Sequence, residues 1–376
     1  MKLRALRCWP FAIPYQTPYA TARGTSAVRY GVLVSLSANG GVEGLGEASP
    51  YPGPGEQEAQ RAIADALRGV ASALEGCPME QAPVVLDREL ARVSPAVASA
   101  ARAGFDIALW DLRARAAGVP VAALACDRPR ESVLVNALIA DPTVDGACAA
   151  AREARGAGFR AVKLKVGMAG SPEAERARIV AVREELGESV ALRLDANGAW
   201  DAARAIAVLR DVAACGVEYV EQPVPPGDLD GMRAVRETTG VRVAADEAVT
   251  DAGAARRVLE ADAADVLIVK PLVLGGIAPS LEVIRLALER GASVVVTTTV
   301  DAGVGVAAAL HLAAALPEGS PAQGLATAHL LASDLLAGPL PVDRGEMRLP
   351  AGPGLGVTLD REALERYAVH LEEAPA

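Results

Sequence analysis

Short apolar runs recur through the middle of the chain, and each closes on residues that can bind a metal or move a proton. AVKLKV carries Lys163 and Lys165, VALRLDAN carries Asp195 and Asn197, and VEYVEQP carries Glu221. VRVAADE carries Asp246 and Glu247, and ADVLIVKP carries Lys270. From Lys165 the charged positions advance by 30, 26, 25 and 24 residues to Asp195, Glu221, Asp246 and Lys270. One strand, one helix and two loops fill about that length, since a βαβ crossover unit takes roughly 30 residues. Between the runs lie amphipathic stretches such as PEAERARIVAVREEL and DAARAIAVLRDVAAC, with apolar residues at helical spacing and Pro or Asp near their starts. A βα repeat that delivers an ionisable side chain at the carboxyl end of each strand predicts the active-site face of a (β/α)8 barrel. VLVNALIA, from Val133, opens the repeat; ASVVVTTT (292–299) extends it, and GLATA (324–328) reads as the eighth strand.

Residues 1–125 lack that rhythm. LRALRCWPFAI and AVRYGVLVSLSA are strand-like, GGVEGLGEAS reads as a hairpin returning as a third strand, and TPYATARGTS between the first two reads as a polar loop. Helical patterns follow over Glu56–Leu74, Val85–Val93 and Ala96–Ala117, the last stopped by Gly118-Val-Pro120. The tail from Pro339 returns to hairpin chemistry in DRGEMRLPAGPGLGVTLD and is expected to pack back on the first module. The predicted fold is of the α/β class: an N-terminal α+β capping domain (1–125), a modified TIM-type (β/α)8 barrel (126–338), and a C-terminal segment (339–376) that completes the cap.

Composition agrees with this reading and removes others. A chain of 376 residues exceeds the roughly 250 of a plain barrel, which leaves room for a second module. Apolar residues make up 51% and aromatics only 3%, the small and branched side chains that fill a layered barrel interior. A net charge of −10 with no basic cluster excludes a phosphate-binding face, so no nucleic-acid partner is expected. Five scattered cysteines without a CxxC pair suggest reduced thiols and a cytoplasmic protein. Pro10 and Pro14 break the apolar start before it can serve as a signal peptide. The longest uncharged apolar run, Ala302 to Pro317, falls short of a membrane span, so no membrane partner is expected.

Taken singly, an acid at a strand end is more often a helix cap or an ion-pair partner. Three in succession, Asp195, Glu221 and Asp246, flanked by lysines, point instead to one divalent cation held from one side. Adjacent strands stand about 4.8 Å apart, close enough to share an ion. Oxygen-only ligation suits Mg²⁺ before Zn²⁺. Lys163 and Lys165, at i and i+2, face one side of their strand. Desolvation and mutual repulsion favour a neutral amine there, so one lysine is expected to act as a base near neutral pH. The bland alternative is that the neighbouring acids simply neutralise the pair. Lys270 lies four strands further round, across the mouth from Lys165. Bases on opposite faces of a carboxylate held on a metal are what proton abstraction beside that carboxylate requires.

KLKVG, RLDANGAW, EQPV, ADE and IVKPLVLGG, in this order, resemble the muconate-lactonizing branch of the enolase superfamily over nearly the whole chain. The resemblance implies Mg²⁺ on Asp195, Glu221 and Asp246, Lys165 as general base, Lys163 tuning its neighbour, and Lys270 as the partner lysine. It places Asn197 and Glu247 around the metal site, implies a small-molecule carboxylate substrate, and suggests a homo-oligomer. VVVTTTVDAGVGVAAALHLAAAL and the following GLATAHLL are most similar to o-succinylbenzoate synthases. These would dehydrate 2-succinyl-6-hydroxy-2,4-cyclohexadiene-1-carboxylate through an enediolate in menaquinone biosynthesis. Thr298, Thr299 and Asp301 would then meet the substrate, although Asp301 stands where many relatives carry Glu. The loop holding Tyr19, Ala20, Arg23, Thr25 and Ser26 would cover the mouth, with Arg23 and Ser26 toward a substrate carboxylate, and Tyr51 is a further contact of that kind. N-acylamino acid racemase and muconate cycloisomerase stay open as alternatives. Dipeptide epimerase is disfavoured, because only Asp334 stands where the family's Asp-x-Asp pair is expected. Outside the family, a Schiff-base aldolase using Lys270 is the rival, and a non-catalytic binding protein gives no reason for lysines facing acids.

Overall fold

A computed structural model describes residues 1–21, 24–168 and 171–370. The chain opens with an antiparallel sheet of β1 (Leu3–Thr21), β2 (Gly24–Ala38) and β3 (Glu43–Ala48) in that order. The helices α1 (Glu56–Leu74), α2 (Ala82–Leu90) and α3 (Pro95–Ala117) pack on it around a core that includes Val32, Val34, Leu36, Ile63, Leu67, Phe105 and Leu109. Gly46 lets α3 ride directly on β3: a Cβ there would sit 2.0 Å from the Gly104 carbonyl oxygen. The predicted bounds of the first helix hold to the residue. The predicted TPYATARGTS loop is shorter than expected, because β1 extends to Thr21 and β2 starts at Gly24, with Tyr19 opposite Ser26 and Thr21 opposite Gly24. Tyr15 and Tyr19 stack at 5.3 Å along this ribbon, which gives its polar sequence an aromatic spine.

After α4 (Val121–Ala125), the barrel alternates strands and helices in register with the predicted repeat. In chain order it contains β4 (Ser132–Leu134), β5 (Ala137–Ile139), α5 (Val144–Gly156), β6 (Ala161–Lys165), α6 (Pro172–Leu186), β7 (Ala191–Asp195) and α7 (Ala202–Asp211). It continues with β8 (Val217–Glu221), α8 (Leu229–Thr239), β9 (Val243–Ala245), α9 (Ala252–Glu260) and β10 (Val266–Val269). It ends with α10 (Pro271–Leu274), α11 (Ile277–Glu289), β11 (Ser293–Val296) and α12 (Gly303–Ala314). Seven parallel strands, β5 to β11, lie side by side in sequence order. Ser171, Asp201, Asp228 and Asp251 accept a backbone N–H at the starts of α6, α7, α8 and α9, the caps their sequences announce.

Two expectations for the barrel's ends are corrected. GLATA forms no eighth strand; the gap is closed by Gln323 and Gly324 alone, which bridge Val135 and Thr297. The Gly324 amide donates to Val296 O at 2.9 Å, and Gln323 Oε1 accepts from the Val296 amide at 2.6 Å. Gly324 lies flat against Thr297, and the chain turns into a short 3-10 helix at Ala328–Leu330, so extended pairing cannot propagate. VLVNALIA, read as one strand, divides into β4 and β5. The tail hairpin, β12 (Val342–Asp343) and β13 (Glu346–Arg348), pairs with β4 rather than with the cap sheet. Further on the tail does reach the cap: the Leu355 amide donates to Asp111 Oδ1 of α3 at 2.7 Å, Arg115 Nη2 of α3 donates to the Val357 carbonyl at 3.4 Å, and α13 (Arg361–Tyr367) precedes a bridge from Ala368 to Phe11. Cap and barrel also meet where buried Glu47 of β3 accepts the amides of Ala302 and Gly305 at the start of α12, at 2.9 and 2.8 Å. Among the described residues all five cysteines are free, and no helix is long and apolar enough to cross a membrane.

Candidate active site

Strand register brings the charged positions to one rim. Lys165 is paired with Asp195, and Asp195 with Glu221, across β6, β7 and β8. Asp246 follows β9 by one residue and Lys270 follows β10 by one. Lys163, Lys165, Asp195, Asp246 and Lys270 meet a cavity of about 470 Å³ that is also lined by Tyr19, Tyr51, Asn136, Asn197, Glu247, Thr297, Thr298, Thr299, Val300 and Thr327. Glu221 is buried just below and does not line it.

Each acid is matched to an ammonium. Lys163 Nζ stands 2.9 Å from Glu221 Oε1 and 3.1 Å from Asp195 Oδ2, and Lys165 Nζ 3.6 Å from Asp195 Oδ2. Lys270 Nζ bonds Asp246 Oδ2 at 2.5 Å and reaches the Tyr51 hydroxyl at 3.5 Å. A chain of hydrogen bonds runs from Lys165 Nζ to Asn197 Oδ1 at 2.6 Å and from Asn197 Nδ2 to Glu247 Oε1 at 3.0 Å. The backbone beneath is held firmly. Buried Arg178 donates to the Lys165 carbonyl and, at 2.7 Å, to that of Asp141, while Gln222 Oε1 accepts the amides of Asp246 and Ala248 at 3.1 Å each. Asn197 (φ 45°) and Gln222 (φ 37°), directly after β7 and β8, adopt left-handed backbone that few non-glycine residues accept. Such strain is characteristic of sites that over-determine their geometry.

While the carboxylates face the lysines directly, these pairings favour the ammonium form. Burial pulls Lys165 down, but Asp195 together with Tyr19 and Glu221 holds the ammonium above its ordinary range. Lys163 and Lys270, also desolvated, are held well above theirs by Asp195 and Asp246 respectively. Burial opposes the charge on Asp195, yet Lys163 and Lys165 keep its carboxyl well below the usual carboxylate range. Glu221, desolvated and facing Asp195, is pushed up to about 8, and burial with Asp246 lifts Glu247 to about 7. Among the described residues no three Asp, Glu, His or Cys side chains gather round one point, because each carboxylate turns to its lysine. The donor set nonetheless fits a hard divalent cation: the acids end three successive strands, the cavity lining holds no imidazole or thiol, and buried Glu247 Oε2 has no hydrogen-bond partner.

The remaining predicted residues divide. Asn197, Tyr51, Thr298 and Thr299 line the cavity. Thr298 Oγ1 lies 2.9 Å from Thr327 Oγ1, so these hydroxyls form a neutral polar wall opposite the acids. Ser26 does not line the cavity; its hydroxyl donates to Glu56 at 2.7 Å. Asp301 is turned away as well, buried behind the wall and accepting the amide and hydroxyl of Thr299 at 2.9 and 2.6 Å. Asp301, one residue past a left-handed Val300, points back into the protein, so neither it nor Ser26 lines the cavity. Arg23 lies outside the described residues. The reading of the sequence did not single out Asn136, Thr327 or Gln222; the EQP motif contained Gln222, but only the fold shows its amide holding the Asp246 turn.

Residues 7–125 match the family described as mandelate racemase / muconate lactonizing enzyme, N-terminal domain, and residues 147–363 match the enolase C-terminal domain-like family. The chain belongs to the muconate-lactonizing branch of the enolase superfamily. Within this branch it is 31% identical over 363 residues to muconate cycloisomerase 1 of Rhodococcus opacus, covering 94% of this chain and 95% of that one. It is 43% identical over 212 residues to the o-succinylbenzoate synthase of Thermobifida fusca, covering 56% and 64% respectively. The fold superposes on the muconate lactonizing enzyme from Pseudomonas fluorescens complexed with muconolactone with a TM-score of 0.90, at 27% identity and over 98% of this chain and 99% of that one. The enolase-superfamily reading of the motifs, the barrel and the cap therefore stands, and the protein is an enzyme of that superfamily.

Proposed function

We propose that this enzyme is an o-succinylbenzoate synthase, a Mg²⁺-dependent hydro-lyase acting on 2-succinyl-6-hydroxy-2,4-cyclohexadiene-1-carboxylate. The observation that carries the reading is the wall that follows β11, where Thr297, Thr298, Thr299 and Thr327 line the cavity with neutral side chains, the paired Thr298 and Thr327 hydroxyls among them, and with no carboxylate. Such a wall suits a second carboxylate or a carbonyl arm and offers a substrate ammonium no opposing charge, which disfavours a dipeptide epimerase. Asp334, the one acid near that position in sequence, is not part of the lining. The 43% identity to the Thermobifida fusca synthase, over a little more than half of this chain, supports the same choice.

Asp195, Glu221 and Asp246 would hold Mg²⁺, and the bound ion supplies positive charge where the substrate carboxylate becomes electron-rich. With Asp195 engaged by the cation rather than by the lysines, Lys165 Nζ would be free to stand as the neutral amine, take the proton from the carbon beside that carboxylate and return it to the departing ring hydroxyl as water. Lys270 Nζ, four strands away in sheet order, faces the other side of the ring and offers its positive charge there. Asn197 aims Lys165, and Tyr51 closes the cavity over Lys270. Aromatisation makes the elimination downhill, so a single base suffices.

A second reading, muconate cycloisomerase, has the full-length match to the Rhodococcus opacus enzyme in its favour. Ultraviolet assays separate the two when purified enzyme receives the cyclohexadiene substrate or cis,cis-muconate, with Mg²⁺ or with EDTA. Mg²⁺-dependent formation of o-succinylbenzoate is the expected result. Lactone formation alone, or faster deuterium exchange into an N-succinylamino acid, replaces the proposal with cycloisomerase or racemase.

A further inference from the structure

Behind the cavity lies a second cluster of buried charge. Arg29, on β2 of the cap, is fully buried and does not itself line the cavity. Its Nε donates to the Val300 carbonyl and its Nη2 to Thr299 Oγ1, each at 3.0 Å. Its Nη1 donates to the Pro50 carbonyl at 2.7 Å and meets Glu56 Oε2 at 3.3 Å. Glu56 Oε1 in turn accepts the Ser26 hydroxyl at 2.7 Å and the Gly53 amide at 2.6 Å. Three stretches of cavity wall therefore end on one ion pair. They are the barrel segment Thr297–Val300, the cap turn bearing Tyr51, and the ribbon in which Ser26 stands opposite Tyr19.

Val300 shows what the pair holds in place. This β-branched residue has φ 62°, a left-handed conformation its side chain resists. Arg29 grips its carbonyl, and the preceding Thr299 is bonded to Asp301 by both amide and hydroxyl. The planar guanidinium spreads its donors over four acceptors on three segments, a task a lysine's single ammonium cannot reproduce.

We propose that Arg29 and Glu56 are positioning residues that set the gap between the Tyr51 turn and the Thr297–Val300 wall, and thereby determine which substrate arm the cavity admits. This rests on the cavity's being the substrate site, as proposed above. Amide hydrogen exchange on the full-length protein tests it without reference to any substrate. Arg29→Met speeds exchange in residues 50–56 and 297–303 together, while β6 and β7 keep their protection. In the dehydration assay Arg29→Lys, which retains charge but loses the fork, raises KM roughly tenfold and changes kcat by less than about threefold. Adding Val300→Gly to Arg29→Met restores much of the lost KM, since glycine takes φ 62° without strain. Should Arg29→Met fail to fold, Glu56→Gln provides both readouts. Exchange altered in only one segment or in none, a fall in kcat with KM unmoved, or full rescue by Arg29→Lys overturns the proposal. If the unmodified enzyme dehydrates nothing, the proposed reaction fails while the exchange result still decides this one.

Discussion

Replacing Lys165 with Met separates catalysis from stability, because the structure assigns the two effects very different sizes. Lys165 stands 3.6 Å from Asp195, which at an effective dielectric of 20 gives about 4–5 kcal/mol of gross attraction. Desolvating an ammonium costs several kcal/mol in return, so the net contribution of the pair is on the order of 1–2 kcal/mol. Asp195 is not stranded by the change, since Lys163 remains 3.1 Å away, and Asn197 keeps its bond to Glu247. Met fills a similar volume along the strand. Unfolding entropy of about 2 cal/mol/K per residue makes 1 kcal/mol worth little more than 1 °C in a chain of 376 residues, so Tm moves by less than about 3 °C. Turnover loses its general base, a factor of about 10² to 10⁴, or roughly 3–5 kcal/mol in the barrier. The assay pairs a thermal melt with ultraviolet monitoring of the dehydration. Activity within tenfold of the unmodified enzyme at an unchanged Tm would refute Lys165 as the base. A collapse of Tm by ten degrees or more would show that the lysine is structural instead.

Glu221→Gln removes one of the three proposed ligands while keeping its shape, so the rise in Tm caused by Mg²⁺ should vanish; an unchanged metal-induced shift in calorimetry counts against ligation. His311 tests the fold's response to acid. Burial holds its imidazole down to about 4 from an ordinary 6.5, with Nδ1 accepting the Ala122 amide at 3.1 Å. A depressed pKa contributes stability that is complete above pH 6.5 and is lost as pH falls to about 4, an amount near 3 kcal/mol. His311→Gln should therefore flatten that part of the pH dependence of urea melts, and an unaltered slope would exclude the histidine as its source. Gly324→Ala would place a Cβ 2.2 Å from Thr297 Oγ1 at the barrel closure, costing about 1–3 kcal/mol; an unaffected Tm would contradict the tight closure.

The charged rim was legible because a repeat with one ionisable residue per strand end leaves a periodic trace, and Lys165, Asp195, Glu221, Asp246 and Lys270 all stand at strand ends there. The helices Glu56–Leu74 and Pro172–Leu186 were equally plain, since an amphipathic period with a capping or breaking residue at its edge depends on few distant contacts. What escaped depends on distant contacts. Arg29 interrupts an apolar strand in AVRYGVLV and resembles any outward-facing charge until Thr299 and Val300, about 270 residues later, fold over it. Ser26 and Asp301 carry chemistry suited to a substrate, but the direction of each side chain is set by that same junction. The lysines' charge state depends on such contacts too: desolvation could be inferred from a strand end, whereas the distances to individual carboxylates could not. The eighth strand was overcalled because GLATA has strand-like composition while only Gly324 comes near enough to pair.

The central claim is that Asp195, Glu221 and Asp246 share one divalent ion between Lys165 and Lys270. Crystals grown with Mn²⁺ and measured at its absorption edge test this most directly. The account predicts a single anomalous peak within coordination distance of an oxygen from each of the three carboxylates, with the two lysines on opposite sides of it. A peak that lacks two of those carboxylates, or none despite saturating Mn²⁺, would contradict it.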